Sequence, residues 1–201
     1  MRKKGSQPPA PVPSLVKKEN RVLFSSASVE WYTPTKLYQQ FVRRWGPFTL
    51  DPCATKRTTK CQKFYTQEQD GLLQSWAGEG VFCNSPYGRQ GEGAAPWVEK
   101  GFNSVRLPYN PSPKVLFLLP ARTETEWWQD LVEPGRLKGL VEVRFLRGRV
   151  CFGYCAHTDK NGVYWPECLE GNPRRPAGFP SAAVIFRPPG SFEPFKFSAA
   201  R

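Results

Sequence analysis

The sequence predicts an α/β protein with a mostly parallel sheet, because short apolar strands alternate with amphipathic helices. Strands are predicted at residues 48–50, 80–83, 114–119, 141–146 and 182–186. The segment 114–119 is apolar almost throughout, which is typical of a strand covered by helices on both faces. Crossover helices return the chain to one edge of a sheet, so this alternation favours parallel pairing within a single domain.

Helices are predicted between these strands from start signals and apolar spacing. Thr33 is expected as the N-cap of a first helix, with Pro34 at its first position. Its buried side is predicted from the four-residue spacing of Leu37, Phe41 and Trp45. A second helix is predicted at 95–106, and residues 123–126 fit a capping box for a third. Residues 53–70 are polar and are expected to be irregular.

The domain boundaries follow from changes in composition along the 201 residues. Residues 1–28 are basic and rich in Pro and Ser, which predicts a flexible arm. Residues 29–190 are expected to form the domain, and residues 191–201 a tail. The segment 153–175 reads as an insertion that could recognise a target through Tyr164, Trp165, Arg174 and Arg175.

The charge balance points to an anionic partner. Lys and Arg number 29 against 17 Asp and Glu, a net charge of +12. Basic side chains on phosphates release counterions, so DNA or RNA is favoured; the alternative is a generally basic surface. No apolar stretch reaches the roughly 18 residues of a membrane span, and the N-terminus lacks a signal-peptide core. We therefore expect no membrane partner, a cytoplasmic monomer (nuclear in a eukaryote) and reduced Cys residues.

Asn84-Ser85-Pro86-Tyr87 stands where one predicted strand ends. The side-chain oxygen of Asn84 and the backbone carbonyl of Ser85 can accept both hydrogens of an exocyclic amine and so free its lone pair. Tyr87 offers a flat face on which an extruded base can stack. Acceptors placed in this way stabilise the transition state of transfer to nitrogen. The alternative is an ordinary turn, since Asn, Ser and Pro all favour turns.

Other polar residues follow neighbouring strands. Asp51 ends the strand at 48–50, and Arg122 follows the strand at 114–119. The carboxyl ends of parallel strands lie at one edge of a sheet, where ligands bind in such folds. We therefore expect Asp51, Asn84 and Arg122 at a shared site.

A set of motifs resembles the phage-type DNA N6-adenine methyltransferase (Dam) family. The matching residues keep the family's order and cover about residues 30–187: 31–34, 48–54, 70–72 with Trp76, 81–88, 118–123, 144–149 and 180–186. The resemblance implies a Rossmann-like methyltransferase fold with S-adenosylmethionine as donor. It also implies site-specific methylation of the N6 amino group of a flipped adenine in DNA, as in phage and restriction-modification enzymes.

The resemblance assigns roles to residues. The catalytic motif would be Asn84, Ser85, Pro86 and Tyr87. The donor would be held by Trp31, Tyr32, Thr33, Pro34, Asp51, Cys53, Asp70 and Leu72. Apart from the resemblance, Arg122, Arg147 and Arg149 follow strand ends and Arg89 follows the catalytic loop, so these four are candidate DNA phosphate contacts; the alternative is ordinary exposed basic residues. No metal is expected, because the positive sulfonium of the donor supplies the driving force.

The chain departs from the family pattern at specific places. Ser85 stands where the family usually has Pro, which keeps the carbonyl but loses the ring that fixes φ. The first turn lacks Gly-x-Gly, and the short spacing from Asp51 to Asp70 leaves little room for a strand bearing a ribose-binding acid. An inactive DNA-binding module, or an enzyme acting on RNA or protein glutamine, are the alternatives. A zinc site is a further alternative to free thiols, at Cys151, Cys155, His157 and Cys168.

Overall fold

A six-stranded mixed sheet forms the centre of the protein. The computed structural model describes residues 31–87, 93–154, 156–158, 164–171 and 176–191. The predicted arm at 1–28 and nearly all of the predicted tail lie outside the described residues. The α/β class predicted from the sequence is confirmed.

The strands in chain order are β1 Leu50–Asp51, β2 Lys63–Phe64, β3 Gly80–Cys83, β4 Lys114–Pro120, β5 Val141–Phe145, β6 His157–Thr158, β7 Tyr164–Trp165 and β8 Ser181–Phe186. The main sheet has the order β2-β1-β3-β4-β8-β5. Pairing is parallel from β2 to β4, and β8 runs antiparallel to both β4 and β5. All strands of this sheet except β8 therefore point the same way, so the sheet is mixed with one reversed strand.

The helices are α1 Thr35–Trp45, α2 Ala94–Ser104, a π-helical turn Trp128–Val132 and α3 Glu133–Leu137. Phe41 and Trp45 of α1 pack on one face of the sheet, and Trp97 of α2 and Trp128 pack on the other. Apolar burial of this kind supplies most of the stability of such a layered fold. The central residues of β4, from Val115 to Leu119, are fully buried between the two layers, as expected for a strand covered on both faces.

The start of α1 differs from the prediction. Pro34 occupies the N-cap position, and Thr33 makes no capping hydrogen bond. The carboxylate of Glu170 takes that role instead, accepting the Thr35 N–H at 3.0 Å and the Thr35 hydroxyl. A carboxylate is favourable at a helix N-terminus because it faces the unpaired N–H groups. This contact fixes the segment around Glu170 to α1.

The capping box predicted at residues 123–126 is also absent. The hydroxyl of Thr125 donates to the carbonyl of Arg122 at 2.7 Å, and no side chain caps the following π-helical turn. The N–H groups of Trp128 and Gln129 bond to the backbone carbonyl of Thr125, so the helical turn starts after Thr125 and not after Thr123, the N-cap that the box requires.

Strand β2 was not predicted, because residues 53–70 were expected to be irregular. Its two residues, Lys63 and Phe64, pair with Leu50 and Asp51 at the edge of the sheet. Neither Lys63 nor Phe64 carries a carboxylate. Lys63 lies in solvent and pairs with Glu79 at 2.8 Å. A two-residue, half-exposed strand has too few apolar positions to give a periodic signal.

The segment predicted as an insertion forms an antiparallel ribbon. Tyr154 pairs with Cys168, and β6 pairs with β7 farther along. Arg174 and Arg175 lie outside the described residues. Among the described residues, no helix is long and apolar enough to cross a membrane.

Candidate active site

Three strands bring the predicted site residues to one edge of the sheet. Leu50 of β1 pairs with Val81 of β3, and Cys83 of β3 pairs with Phe117 of β4. The residues after these strands, including Asp51 and Asn84, therefore lie at the same carboxyl edge. Arg122 follows β4 at this edge, so the structure brings together the three polar turns expected to share a site.

The amide of Asn84 is held from both ends. Its Nδ2 donates to the backbone carbonyl of Trp31, and its Oδ1 accepts the hydroxyl of Tyr87. A carbonyl can only accept, so the bond to Trp31 fixes which end of the amide is nitrogen. Because Oδ1 has two lone pairs, one remains for a further donor.

Tyr87 is positioned by its ring and by its hydroxyl. The ring meets Phe179 at 5.6 Å and Phe152 at 6.3 Å between centroids, both in steeply inclined arrangements. The hydroxyl lies 2.9 Å from the carbonyl oxygen of Leu118 on β4, in addition to Asn84. Burial raises the pKa of Tyr87 well above its ordinary value, so the hydroxyl stays protonated and donates at neutral pH.

Ser85 is buried, and its hydroxyl oxygen has no hydrogen-bond partner among the described residues. An unpaired buried hydroxyl costs about 1–3 kcal/mol of desolvation. Pro86 beside it is half-buried. Compared with a proline at this position, Ser85 therefore lacks the ring that fixes φ and adds a polar atom without a hydrogen-bond partner in the described part of the chain.

Asp51 is a buried carboxyl with one free oxygen. Its Oδ2 accepts the backbone N–H of Lys60 at 3.1 Å, and its Oδ1 has no partner in the described part of the chain. Burial raises the pKa of Asp51 to about 7, against the lowering effect of the backbone N–H groups of Lys60 and Cys53. The carboxyl would gain most from a cationic or hydrogen-donating group placed at Oδ1.

The turn at residues 70–72 packs against the Asp51-Pro52-Cys53 turn. A Cβ on Gly71 would lie 1.9 Å from the carbonyl oxygen of Pro52, so only glycine permits this approach. Asp70 has a φ of 48°, and its Oδ1 accepts the N–H of Leu72 at 3.0 Å. The four predicted donor-binding residues of these two turns are therefore adjacent in space.

Residues 31–34 lie beside Asn84, because the Trp31 carbonyl accepts the hydrogen bond from Asn84 Nδ2. Tyr32 and Gly153 exchange two backbone hydrogen bonds of 3.0 and 2.8 Å. The ring of Trp31 packs against Phe152, with centroids 5.3 Å apart. Phe152 and Phe179 were not singled out from the sequence, since each lies in a loop without a periodic pattern and far along the chain from residues 31–34.

Three of the four predicted arginines lie at the same edge. Arg122, Arg147 and Arg149 are exposed, and Arg89 lies outside the described residues. The N–H of Leu146 bonds to the carbonyl of Ser181 at 2.9 Å, which fixes the start of the segment that carries Arg147 and Arg149. This segment leaves β5 and returns along the edge to Phe152 beside Tyr87.

A separate surface cavity of about 430 Å³ lies between the turn at residues 75–76 and the C-terminal half of α2. Its lining residues are Ser75, Trp76, Glu99, Lys100, Asn103, Ser104 and Leu107. None of them is a predicted catalytic or donor-binding residue. The buried oxygen atoms without hydrogen-bond partners among the described residues, such as Asp51 Oδ1, lie at the carboxyl edge of the sheet and not in the lining of this cavity.

The residues at the edge fit a polar, cationic donor molecule. Four buried oxygens there have no partner among the described residues: Thr33 Oγ1, Asp51 Oδ1, Ser85 Oγ and Ser181 Oγ. Buried polar atoms are almost always satisfied, so such atoms mark places where a ligand group can bind. No cluster of three His, Cys, Asp or Glu residues that could hold a metal occurs in the described segments, and Cys155 lies outside them.

The fold and edge site define an α/β protein with a fixed amide acceptor and a buried carboxyl at one edge of its sheet. A family model described as DNA N-6-adenine-methyltransferase (Dam) matches residues 23–166. The chain therefore belongs to this family.

The DNA N-6-adenine-methyltransferase of Escherichia phage T1 is 29% identical over 101 residues. That match covers 50% of this chain and 39% of the phage T1 protein. No solved structure matches the chain.

Proposed function

We propose that the protein transfers a methyl group from S-adenosylmethionine to the N6 amino group of adenine at specific sites in DNA. The observation that carries this proposal is the fixed Asn84 amide, whose oxygen keeps a free lone pair at the sheet edge where the buried Asp51 also has an oxygen that is unpaired among the described residues. Family membership supports it. The single reversed strand in an otherwise parallel sheet supports a Rossmann-like fold.

Each part of the site has a role in this proposal. When bound, S-adenosylmethionine supplies an electrophilic methyl group on a positively charged sulfur. Asp51 would accept a cationic donor group at Oδ1, and Thr33, Cys53 and the turn at 70–72 would surround the rest. Trp31, Tyr32 and Pro34 would complete this side of the donor pocket.

The adenine side relies on two acceptors. The Asn84 side-chain oxygen and the Ser85 carbonyl would accept the two N6 hydrogens, which localises the nitrogen lone pair toward the methyl group. Tyr87 would stack on the flipped base. The exposed Arg122, Arg147 and Arg149 would contact phosphates.

The proposal also covers how the target sequence is recognised and where in the cell the protein acts. The ribbon of β6 and β7 is suited to recognise the target sequence, because the segment that carries it is joined at Gly153 to Tyr32 of the site. We propose action as a monomer in a host cytoplasm, and the phage origin of the T1 relative supports the host setting. RNA or protein glutamine as substrate would use the same acceptor pair.

A second candidate is a DNA-binding module without catalysis. It is favoured by Ser85, whose buried, unpaired hydroxyl replaces a rigid ring beside the acceptor carbonyl. Such a module has no need to bind S-adenosylmethionine, so donor binding separates the two candidates.

The test is to incubate the protein with unmethylated DNA and isotopically labelled S-adenosylmethionine, and to analyse the nucleosides by mass spectrometry. N6-methyladenine is the expected product. Asn84→Ala should abolish it while still binding donor, and Asn103→Ala, exposed on α2, should act as wild type. Folded, donor-binding protein that yields no N6-methyladenine from DNA would refute the proposed function.

A further inference from the structure

Phe145 is an exposed aromatic residue at the end of the edge strand β5. Its side chain is 63% exposed, although large apolar residues are normally covered. One side of the ring stacks on the buried Trp128, with centroids 6.2 Å apart and planes inclined by 18°. Trp127 packs against Trp128 in turn, at 5.6 Å. The ring of Phe145 is therefore held in place with its other side open to solvent.

Phe145 lies at the same edge of the sheet as Asn84. Phe145 pairs with Ala182 of β8, and Leu119 of β4 pairs with that same residue. Three strand spacings separate β3 from β5, which is roughly 14 Å. That distance is about four base-pair rises along DNA at 3.4 Å each. Phe145 therefore falls within the length of a strand bound at Asn84.

The surroundings of Phe145 are positively charged. Arg147 and Arg149 follow it directly, and Arg122 leaves the neighbouring part of the edge. None of these three arginines forms an ion pair with an acid in the part of the chain that the structure describes. Stacked aromatic rings beside unpaired basic side chains are typical of surfaces that bind unpaired nucleic-acid strands.

We propose that Phe145, supported by Trp128, is a stacking platform for an unpaired nucleobase of bound DNA. Arg122 and Arg147 contact the adjoining phosphates. The inference rests on the proposed function only in taking DNA as the partner. A second copy of the chain is a poorer occupant, because the same arginines would face each other across the contact on a protein of net charge +12.

The test measures the affinity of the donor-free protein for a fluorescent single-stranded oligonucleotide. Phe145→Ala should weaken binding roughly tenfold, the loss expected for one stacked base. Phe145→Trp should bind as wild type, because it restores a flat ring. Phe145→Leu should bind weakly although it keeps an apolar contact with Trp128, so it separates stacking from folding.

Tyr109→Ala is the matched control, since Tyr109 is 87% exposed but lies before β4, at the opposite edge of the sheet. It should leave affinity unchanged. Arg147→Ala should lower the salt dependence of binding by about one counterion. Wild-type affinity in the Leu variant, or equal losses in the Phe145→Ala and Tyr109→Ala variants, would overturn the proposal. A shift in oligomeric state without a change in DNA affinity would also overturn it.

The outcome is independent of methyl transfer, which is assayed separately. A tenfold loss of binding in Phe145→Ala supports the platform even if the wild-type protein makes no N6-methyladenine. Conversely, if the wild-type protein is an active methyltransferase and Phe145→Ala leaves its DNA affinity unchanged, the stacking platform is refuted and the proposed function is not affected.

Discussion

Replacing Asp51 by Asn removes the ionisable group from a fully buried position of the candidate site. Asn keeps an oxygen that can accept the Lys60 N–H at the position of Oδ2, so the local backbone should remain in place. What changes is the free energy needed to keep a charge there. The folded-state pKa of Asp51 is about 7, and its ordinary value is 3.8.

The direction in which pH changes the unfolding free energy follows from proton linkage. Below pH 3.8 the carboxyl is neutral in both states, so it has no effect. As the pH rises toward 7 the unfolded chain loses this proton while the folded protein keeps it, so stability falls. Above pH 7 the penalty is complete, at roughly 4 kcal/mol on the scale of 1.36 kcal/mol for each tenfold change in proton affinity.

The assay is chemical denaturation of the donor-free protein at pH 5 and pH 8. From this group alone the wild type should lose roughly 2–3 kcal/mol of unfolding free energy between the two pH values. In Asp51→Asn the fall in unfolding free energy between pH 5 and pH 8 should be smaller by this amount. The matched control Asp130→Asn, at an exposed position, should show the same fall as the wild type. Equal pH dependence in the wild type and Asp51→Asn would refute the reasoning.

Donor binding gives a second readout of the same group. A cationic group at Oδ1 favours the ionised carboxylate, so the affinity for S-adenosylmethionine should rise with pH between 5 and 7, by up to about tenfold per pH unit. In Asp51→Asn this rise should disappear. A variant that binds the donor with the wild-type pH dependence would show that Asp51 does not face the donor's positive charge.

Two further substitutions address the acceptor loop. Tyr87→Phe keeps the ring against Phe179 but removes the hydroxyl that bonds to Asn84, so we expect about a tenfold lower kcat with unchanged donor Kd. Turnover at the wild-type rate would show that the hydroxyl does not position the amide. Ser85→Pro removes a buried, unpaired hydroxyl and fixes φ, so the unfolding free energy should rise by about 1 kcal/mol, measured by urea denaturation. A less stable Pro variant would contradict this account.

Much of the fold was predictable because its core elements are long and strongly patterned. The apolar run of β4 and the four-residue spacing of α1 each led to the correct element. The short edge strand β2 and the cap of α1 were not predictable. The cap comes from Glu170, which is 135 positions from Thr35, and no local pattern can reveal a partner at that distance.

The candidate site also has features that the sequence could predict and features that it could not. Asp51 and Asn84 could be expected at one edge from the sequence, because each stands where a strand ends and the carboxyl ends of parallel strands lie together. The sequence could not show that the Asn84 oxygen is bonded to Tyr87, or that Phe152 and Phe179 enclose that ring. These contacts join loops that are distant in sequence, so they are set by tertiary packing and not by local residue preference. The roles assigned to these residues remain proposals.

The contacts around Asn84 also bear on the departure at Ser85. A proline ring would hold the acceptor loop by restricting one backbone angle, whereas this protein holds it by bonds at both ends of the Asn84 amide. One bond reaches the Trp31 carbonyl, and the other reaches Tyr87, whose hydroxyl also lies beside the Leu118 carbonyl of β4. Rigidity lost at Ser85 can thus be recovered from the packed sheet. It follows that removing the Tyr87 hydroxyl should harm this protein more when Ser85 is present than when Pro replaces it.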